Sequence, residues 1–144
     1  MLDLLSASGG APVIRLLIAD DQEVIRFGLR MLLRDEPDIT VIGEAADGRA
    51  AVTMVAADPP DMVLMDLSMP VLDGVSATRE IVSAAPSVQV LVLTATAHEW
   101  TVREAFDAGA SGYVLKDSPP ETLLDAIRSV FGSQPPVSPK VFGT

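Results

Sequence analysis

The sequence predicts an α/β domain in which five parallel strands form a doubly wound sheet with helices on both faces. Short apolar runs rich in β-branched residues alternate five times with longer segments of helical periodicity. The runs are nearly continuously apolar, which is typical of strands covered on both faces. With 144 residues, 49% of them hydrophobic and 21% charged, the chain suits one compact domain rather than two.

The first strand and helix come early in the chain. Residues 13–19 are apolar and β-branched and end at Asp20-Asp21, which predicts a strand. Apolar side chains then recur at helical spacing over residues 24–32, which predicts a helix. Residues 39–45 form the second apolar run and predict the second strand.

Turn and cap residues bound the two central units. Asp47-Gly48 opens a helix over about residues 49–57, which the prolines after Asp58 end because proline cannot continue a helix. The third strand covers residues 62–65 and ends at Asp66. The third helix starts at Asp73-Gly74 and is closed by Pro86.

The last two units follow the same pattern. Residues 88–93 predict the fourth strand, which Thr94 ends. A helix over about residues 99–108 stops at Gly109, because glycine readily adopts the left-handed turn that closes a helix. Residues 113–115 predict the fifth strand, which ends at Lys116, and the Ser118-Pro119-Pro120-Glu121 segment is a start signal for the fifth helix.

Both ends of the chain have the composition of unpacked segments. Residues 1–12 combine serine, glycine and proline without periodicity and predict a flexible leader. Residues 132–144 contain three prolines, which favours an extended linker. The folded domain is therefore expected to cover residues 13–131.

Four of the five strands end in a polar side chain. Crossovers of this length are right-handed, and ligands of such sheets bind beyond the carboxyl ends of the strands. In the strand order 2-1-3-4-5, one of the two common doubly wound orders, strand three is central. We then expect Asp66 between Asp20-Asp21 on one side and Thr94 on the other, with Lys116 reaching inward from two strands away.

Three clustered carboxylates repel one another and call for a divalent cation. The chain has no cysteine and one histidine, which excludes thiolate and multi-histidine metal sites. All-oxygen ligation suits Mg²⁺ or Mn²⁺ and a phosphate oxygen. Asp66 is then the natural nucleophile, forming an acyl phosphate, and Lys116 and Thr94 would stabilise charge on the phosphoryl oxygens.

The formal charge of −10 has the wrong sign for attracting nucleic acid or an anionic membrane. No uncharged apolar run approaches the length of a membrane span, and the N-terminus lacks a positively charged start. We therefore expect a cytoplasmic protein that binds neither DNA nor membranes through this segment.

Four motifs, in order and spacing, resemble those of the receiver domain of two-component response regulators, which has the flavodoxin-like fold. They are residues 17–21, residues 64–70 through Asp73-Gly74, residues 92–95 and residues 112–116. The resemblance implies that Asp66 accepts a phosphoryl group from the phosphohistidine of a sensor histidine kinase. It also implies that Asp21, Asp66 and the Ser68 backbone carbonyl ligate Mg²⁺, with Asp20 acting through a bound water.

The resemblance further implies that Thr94 and Tyr113 form a switch pair, in which the ring follows the hydroxyl as it moves toward the phosphate. Lys116-Asp117, residues 107–113 and residues 138–141 resemble the NarL/FixJ (LuxR-type) subgroup. Many receivers have a proline where Asp117 stands. Members of the subgroup usually carry a C-terminal helix-turn-helix domain, so the resemblance implies a linker toward such a domain, dimerisation on phosphorylation and transcriptional output through DNA.

Three functions fit these residues. The leading interpretation is a phospho-accepting switch that catalyses only its own phosphorylation and dephosphorylation. A Mg²⁺-dependent aspartyl-phosphate phosphohydrolase would usually need a second Asp two residues after the nucleophile, where this chain has Ser68. A pseudo-receiver that only binds partners would not need the set of Asp20, Asp21, Asp66, Thr94 and Lys116.

Overall fold

The computed structural model describes residues 12–96, 98–133 and 140–142. The predicted leader, apart from its last residue, and residues 134–139 of the predicted linker lie outside the described residues. The described strands are β1 (Ile14–Ala19), β2 (Ile39–Ala45), β3 (Met62–Met65), β4 (Gln89–Thr94), β5 (Gly112–Leu115) and β6 (Lys140–Phe142). The helices are α1 (Glu23–Arg34), α2 (Gly48–Ala57), α3 (Gly74–Ala84), α4 (Glu99–Asp107) and α5 (Pro120–Phe131).

The strands form one parallel sheet in the order β2-β1-β3-β4-β5-β6. This confirms the predicted doubly wound order for the first five strands. The sheet has one strand more than predicted, because β6 lies within the segment that was expected to be linker and pairs with β5. Three residues are too few to show a periodicity, so the sequence pattern gave no sign of this strand.

Helices cover both faces of the sheet, as predicted. Along β1, Leu16 and Ile18 belong to one buried cluster, and Leu17 and Ala19 belong to the other, because successive strand residues point to opposite faces. One cluster includes buried residues of α2, α3 and α4, and the other includes buried residues of α1 and α5. The sheet is therefore buried between two helical layers, and its carboxyl edge holds the polar strand ends.

The predicted helix boundaries at Asp47, Asp73 and Gly109 have clear local causes. The Asp47 carboxylate accepts a hydrogen bond from the Ala50 N–H at 2.7 Å, and the Asp73 carboxylate accepts one from the Ser76 N–H at 2.9 Å. Gly109 follows α4 with φ +112°, the left-handed conformation expected for a glycine at that position.

None of the helices in the described ranges is long and apolar enough to cross a membrane.

Candidate functional site

The register of the central strands places Asp20 beside Asp66. In the pairing of β1 with β3, Ala19 lies opposite Met65, so that both strands end with an aspartate at the same level. The Asp66 N–H donates a hydrogen bond to the Ala19 carbonyl oxygen at 2.9 Å. The two aspartates are held side by side by backbone pairing, as the strand order predicted.

Three carboxylates meet at this edge. One oxygen from each of Asp20, Asp21 and Asp66 lies within 4.8 Å of the others. Asp20 and Asp66 are buried, with 2% and 5% of their surface exposed, whereas Asp21 is exposed to solvent. The donors are all hard oxygens, which suit Mg²⁺ or Mn²⁺, and the exposed Asp21 leaves the cluster open on one side. The cluster could therefore hold a divalent metal ion.

Lys116 contributes a positive charge to the cluster from the end of β5. Its Nζ lies 2.7 Å from Asp20 Oδ2 and 3.5 Å from Asp66 Oδ2. The Lys116 backbone N–H donates to the Thr94 carbonyl oxygen at 2.8 Å, which extends the pairing of β4 with β5 by one residue. The inward reach predicted for this side chain is what the structure shows.

The environment raises the pKa of Asp66 above the usual aspartate value. Burial is the largest cause, and the negative charges of Asp20 and Asp21 act in the same direction. The ammonium of Lys116 and a backbone hydrogen bond of Ser68 lower the pKa but do not cancel the rise. The ionised form of Asp66 is therefore costly until another positive charge approaches it.

The loop after Asp66 is held tightly against α3. The Gly74 N–H donates to the Leu67 carbonyl oxygen at 2.9 Å. A Cβ atom on Gly74 would lie 2.1 Å from the Asp66 carbonyl oxygen, so only glycine fits there. Ser68, whose backbone carbonyl was predicted as a metal ligand, lies in this loop and is exposed.

Thr94 and Tyr113 lie on the adjacent strands β4 and β5. Thr94 is buried at the end of β4, and Tyr113 is fully buried. The Tyr113 hydroxyl donates to the Thr96 carbonyl oxygen at 2.6 Å, and its ring lies nearly perpendicular to that of Phe106, with the centroids 6.3 Å apart. The sequence gave no sign of Thr96, because any residue can supply a carbonyl oxygen.

Arg26 is a further residue of the site that sequence reasoning missed. From α1, its Nη1 donates to the Asp20 carbonyl oxygen at 2.6 Å, and its Nε donates to Glu44 Oε1 at 3.1 Å. Only 16% of its side chain is exposed. The guanidinium thus fixes the backbone that presents the carboxylates. The only signal in the sequence is a basic residue six positions after Asp20. It does not predict this contact unless the position of Glu44 on β2, beside β1, is known.

A family model for the response regulator receiver domain matches residues 16–128, which is most of the chain. The chain belongs to the response regulator receiver domain family. The match spans all five helices except the end of α5 and every strand from β2 to β5 in full, together with the site residues from Asp20 to Lys116.

Relatives and solved structures agree on the type of receiver domain. The chain is 43% identical over 116 residues to the uncharacterized transcriptional regulatory protein YxjL of Bacillus subtilis (81% of this chain, 53% of the relative). It is 40% identical over 131 residues to the transcriptional regulatory protein LiaR of the same species (91% and 62%). The chain thus spans about half to three fifths of these relatives.

Two solved structures are similar in fold and sequence. A LuxR-family response regulator from Aurantimonas is 36% identical with a TM-score of 0.79, covering 83% of this chain and 85% of that one. The receiver domain of the putative regulator NarL from Mycobacterium tuberculosis is 30% identical with a TM-score of 0.82, covering 86% and 100%. This receiver domain is therefore of the LuxR/NarL type, as its motifs predicted.

Proposed function

We propose that this receiver domain is a phosphorylation switch of a two-component system, in which Asp66 accepts a phosphoryl group from the phosphohistidine of a sensor histidine kinase. One observation carries the proposal. The carboxylate of Asp66 stands in a cluster with two other aspartates, and the Lys116 ammonium lies within 3.5 Å of it. Such a group of charges is unfavourable for packing alone and suits a phosphoryl acceptor.

In the transfer, an Asp66 carboxylate oxygen attacks phosphorus and the phosphorus–nitrogen bond of phosphohistidine breaks. The imidazole leaves with the bonding electron pair and takes up a proton, and Asp66 becomes an acyl phosphate. Lys116 is placed to pair with the phosphoryl oxygens, and the Thr94 hydroxyl would donate to them from the neighbouring strand.

Asp20, Asp21, Asp66 and the Ser68 backbone carbonyl would hold Mg²⁺ or Mn²⁺. When bound, the cation withdraws charge from the phosphoryl oxygens and offsets the repulsion among the carboxylates. Arg26 holds the Asp20 backbone in place, and so would position one of these ligands without touching the phosphoryl group itself.

The output of the switch would pass through Thr94 and Tyr113. A phosphoryl group adds charge and strong acceptors at the end of β3, which draws the Thr94 hydroxyl and favours the buried position of the Tyr113 ring. In a complete regulator of this type, that change would promote homodimerisation and DNA binding by a C-terminal helix-turn-helix domain in the cytoplasm. The receiver domain would catalyse only its own phosphorylation and dephosphorylation.

The test is phosphorylation by acetyl phosphate with Mg²⁺, read by intact mass. We expect one added phosphoryl group on the parent protein, none on Asp66→Asn, and the parent amount on the control Asp35→Asn. Asp35 is suitable because 81% of its side chain is exposed and it lies outside the site. The absence of an adduct on the parent protein would favour the pseudo-receiver. Rapid multiple turnover of a phosphomonoester would favour the phosphohydrolase.

A further inference from the structure

The outer edge of β5 is occupied by the chain's own residues 140–142. The strand β6 pairs with β5 in parallel, with Lys140 opposite Gly112, Val141 opposite Tyr113 and Phe142 opposite Val114. An unpaired strand edge offers a row of backbone donors and acceptors, and β6 covers that row on β5.

The side chains of β6 enter both layers of the fold. Val141 packs against the cluster that contains Tyr113, and Phe142 packs against the cluster that includes Val130 of α5. Successive strand residues point to opposite faces, so a strand of three residues can reach both. The strand β6 is therefore held by packing of its side chains against both hydrophobic clusters as well as by backbone pairing with β5.

Gly112 leaves room for Phe142. A Cβ atom on Gly112 would lie 3.1 Å from Phe142 Cε2 and 2.8 Å from Leu91 Cδ1. The Lys140 ammonium lies 5.7 Å from the centroid of the Phe142 ring, which favours the same position of the ring. The missing side chain at Gly112 therefore lets the Phe142 ring lie close to β5.

The pairing also brings β6 to the proposed switch residue. Val141 is the β6 partner of Tyr113 and belongs to the packing around its cluster. The Tyr113 ring is fully buried, its hydroxyl donates to the Thr96 carbonyl oxygen, and its ring packs nearly perpendicular to that of Phe106. The ring would lose part of its cover if β6 left the edge.

We propose that the docking of residues 140–142 on β5 and the buried position of Tyr113 stabilise each other. Each state then favours the other by the same factor, because coupling between two equilibria is reciprocal. The part of the proposal that concerns phosphorylation rests on the proposed function: a phosphoryl group on Asp66 that favours the buried ring also tightens β6. The segment beyond α5 thereby senses the state of the site.

The chain has one tyrosine, so 3-fluorotyrosine gives a single ¹⁹F signal from Tyr113. We expect Val141→Asp in the full chain to move this signal toward that of a solvent-exposed tyrosine. Hydrogen exchange of those amides of residues 112–115 that face β6 should rise about tenfold or more, since β6 covers that edge of β5. The control is Val24→Asp, the same change at a side chain that is 73% exposed on α1, and should leave both readouts at the parent value.

Phe142→Ala is the second variant, because it trims the contact without placing a charge. It should give the same changes in smaller degree. The reciprocal variant, Tyr113→Phe, removes only the hydroxyl bonded to Thr96 and should speed exchange in residues 140–142. The proposal is overturned if Val141→Asp or Phe142→Ala leaves exchange of residues 140–142 unchanged. It is also overturned if either variant speeds that exchange while the Tyr113 signal stays in place.

Beryllofluoride with Mg²⁺, a mimic of the phosphoryl group, separates this proposal from the proposed function. Slower exchange in residues 140–142 together with protection around Asp66 supports the coupling. Protection around Asp66 without any change in residues 140–142 overturns the coupling to phosphorylation alone. If no region responds, the proposed function fails, whereas the results with Val141→Asp and Tyr113→Phe still decide the coupling between β6 and Tyr113.

Discussion

The Lys116 ammonium lies closer to Asp20 than to Asp66, at 2.7 Å and 3.5 Å. The lysine therefore stabilises mainly the carboxylate of Asp20, which we propose as a metal ligand. The negative charge of Asp66 is compensated less. The raised pKa of Asp66 agrees with this arrangement, since burial and two aspartates outweigh the lysine. An incoming cation can then be attracted without first displacing a strong ion pair on Asp66.

Lys116→Met should lower the free energy of unfolding by about 2 kcal/mol without metal, because the buried Asp20 carboxylate loses its charged partner. Urea unfolding measures the loss. Mg²⁺ should restore a larger share of stability in this variant than it adds to the parent protein. Equal stability of the two metal-free proteins would contradict the pairing.

Asp66→Asn should raise the urea midpoint of the metal-free protein at pH 7. The folded state raises the pKa of Asp66, so the folded protein prefers the protonated carboxyl. Its ionisation costs stability as the pH rises through the folded pKa. The gain from asparagine should therefore be present at neutral pH and vanish below pH 3.8, the ordinary pKa of an aspartate carboxyl.

Asp35→Asn is the matched control for this pH series, because it makes the same change at an exposed carboxylate outside the site. Excess Mg²⁺ should stabilise the parent protein and leave Asp66→Asn nearly unchanged. If Asp66→Asn is less stable than the parent protein at pH 7 without metal, the ionised Asp66 carboxylate does not destabilise the fold and the prediction is wrong.

Asp38→Asn should weaken the connection between α5 and the segment before β2. Arg128 donates to both carboxylate oxygens of Asp38, at 2.8 and 2.9 Å, and to Glu36 at 2.6 Å. The Arg128 hydrogen bond is the largest cause of the lowered pKa of Asp38. The ion pair therefore stabilises the fold above the ordinary carboxyl pKa, and its contribution is lost as the pH falls through the lowered value.

Because Asp38 and Arg128 are about one third exposed, solvent screening limits the expected loss at pH 7 to less than about 1 kcal/mol. Urea unfolding of Asp38→Asn and the parent protein between neutral pH and acid checks the trend. A difference that grows on acidification would contradict the sign.

Val71→Asn should stabilise the protein by up to about 1 kcal/mol. Val71, in the loop after Pro70, has φ +67°, a left-handed conformation that is unfavourable for a β-branched residue. Its side chain is 79% exposed, so packing contacts do not offset this cost. Asparagine tolerates that conformation better. Val71→Thr is the control, because it stays β-branched and should give no gain in thermal unfolding; equal midpoints for both variants would contradict the strain.

The sequence predicted the parts of the site that follow from strand ends. Asp20, Asp66 and Lys116 each come directly after an apolar run, and a parallel sheet of known order brings such positions to one edge. Thr94 could be placed by the same argument. The number and type of the first five strands follow from patterns that are local in the sequence, whereas their order was expected because it is one of the two common doubly wound orders.

The remaining features depend on contacts between distant residues. Arg26 supports Asp20 only because α1 lies over β2, where Glu44 completes its hydrogen bonds. The strand β6 forms because residues 140–142 can pair with the outer edge of β5 and because Gly112 leaves space for Phe142. Neither feature can be predicted from a run of three residues. Such partners are set by packing, which periodicity does not describe.

The most direct measurement of the central claim locates the phosphoryl group in the unmodified protein. After reaction with acetyl phosphate, borohydride reduces an aspartyl phosphate to homoserine, and peptide mass spectrometry finds the changed residue. We predict homoserine at position 66, formed with Mg²⁺ and nearly abolished by a chelator. Homoserine at another aspartate, or equal conversion of Asp66 with and without the cation, would contradict the account.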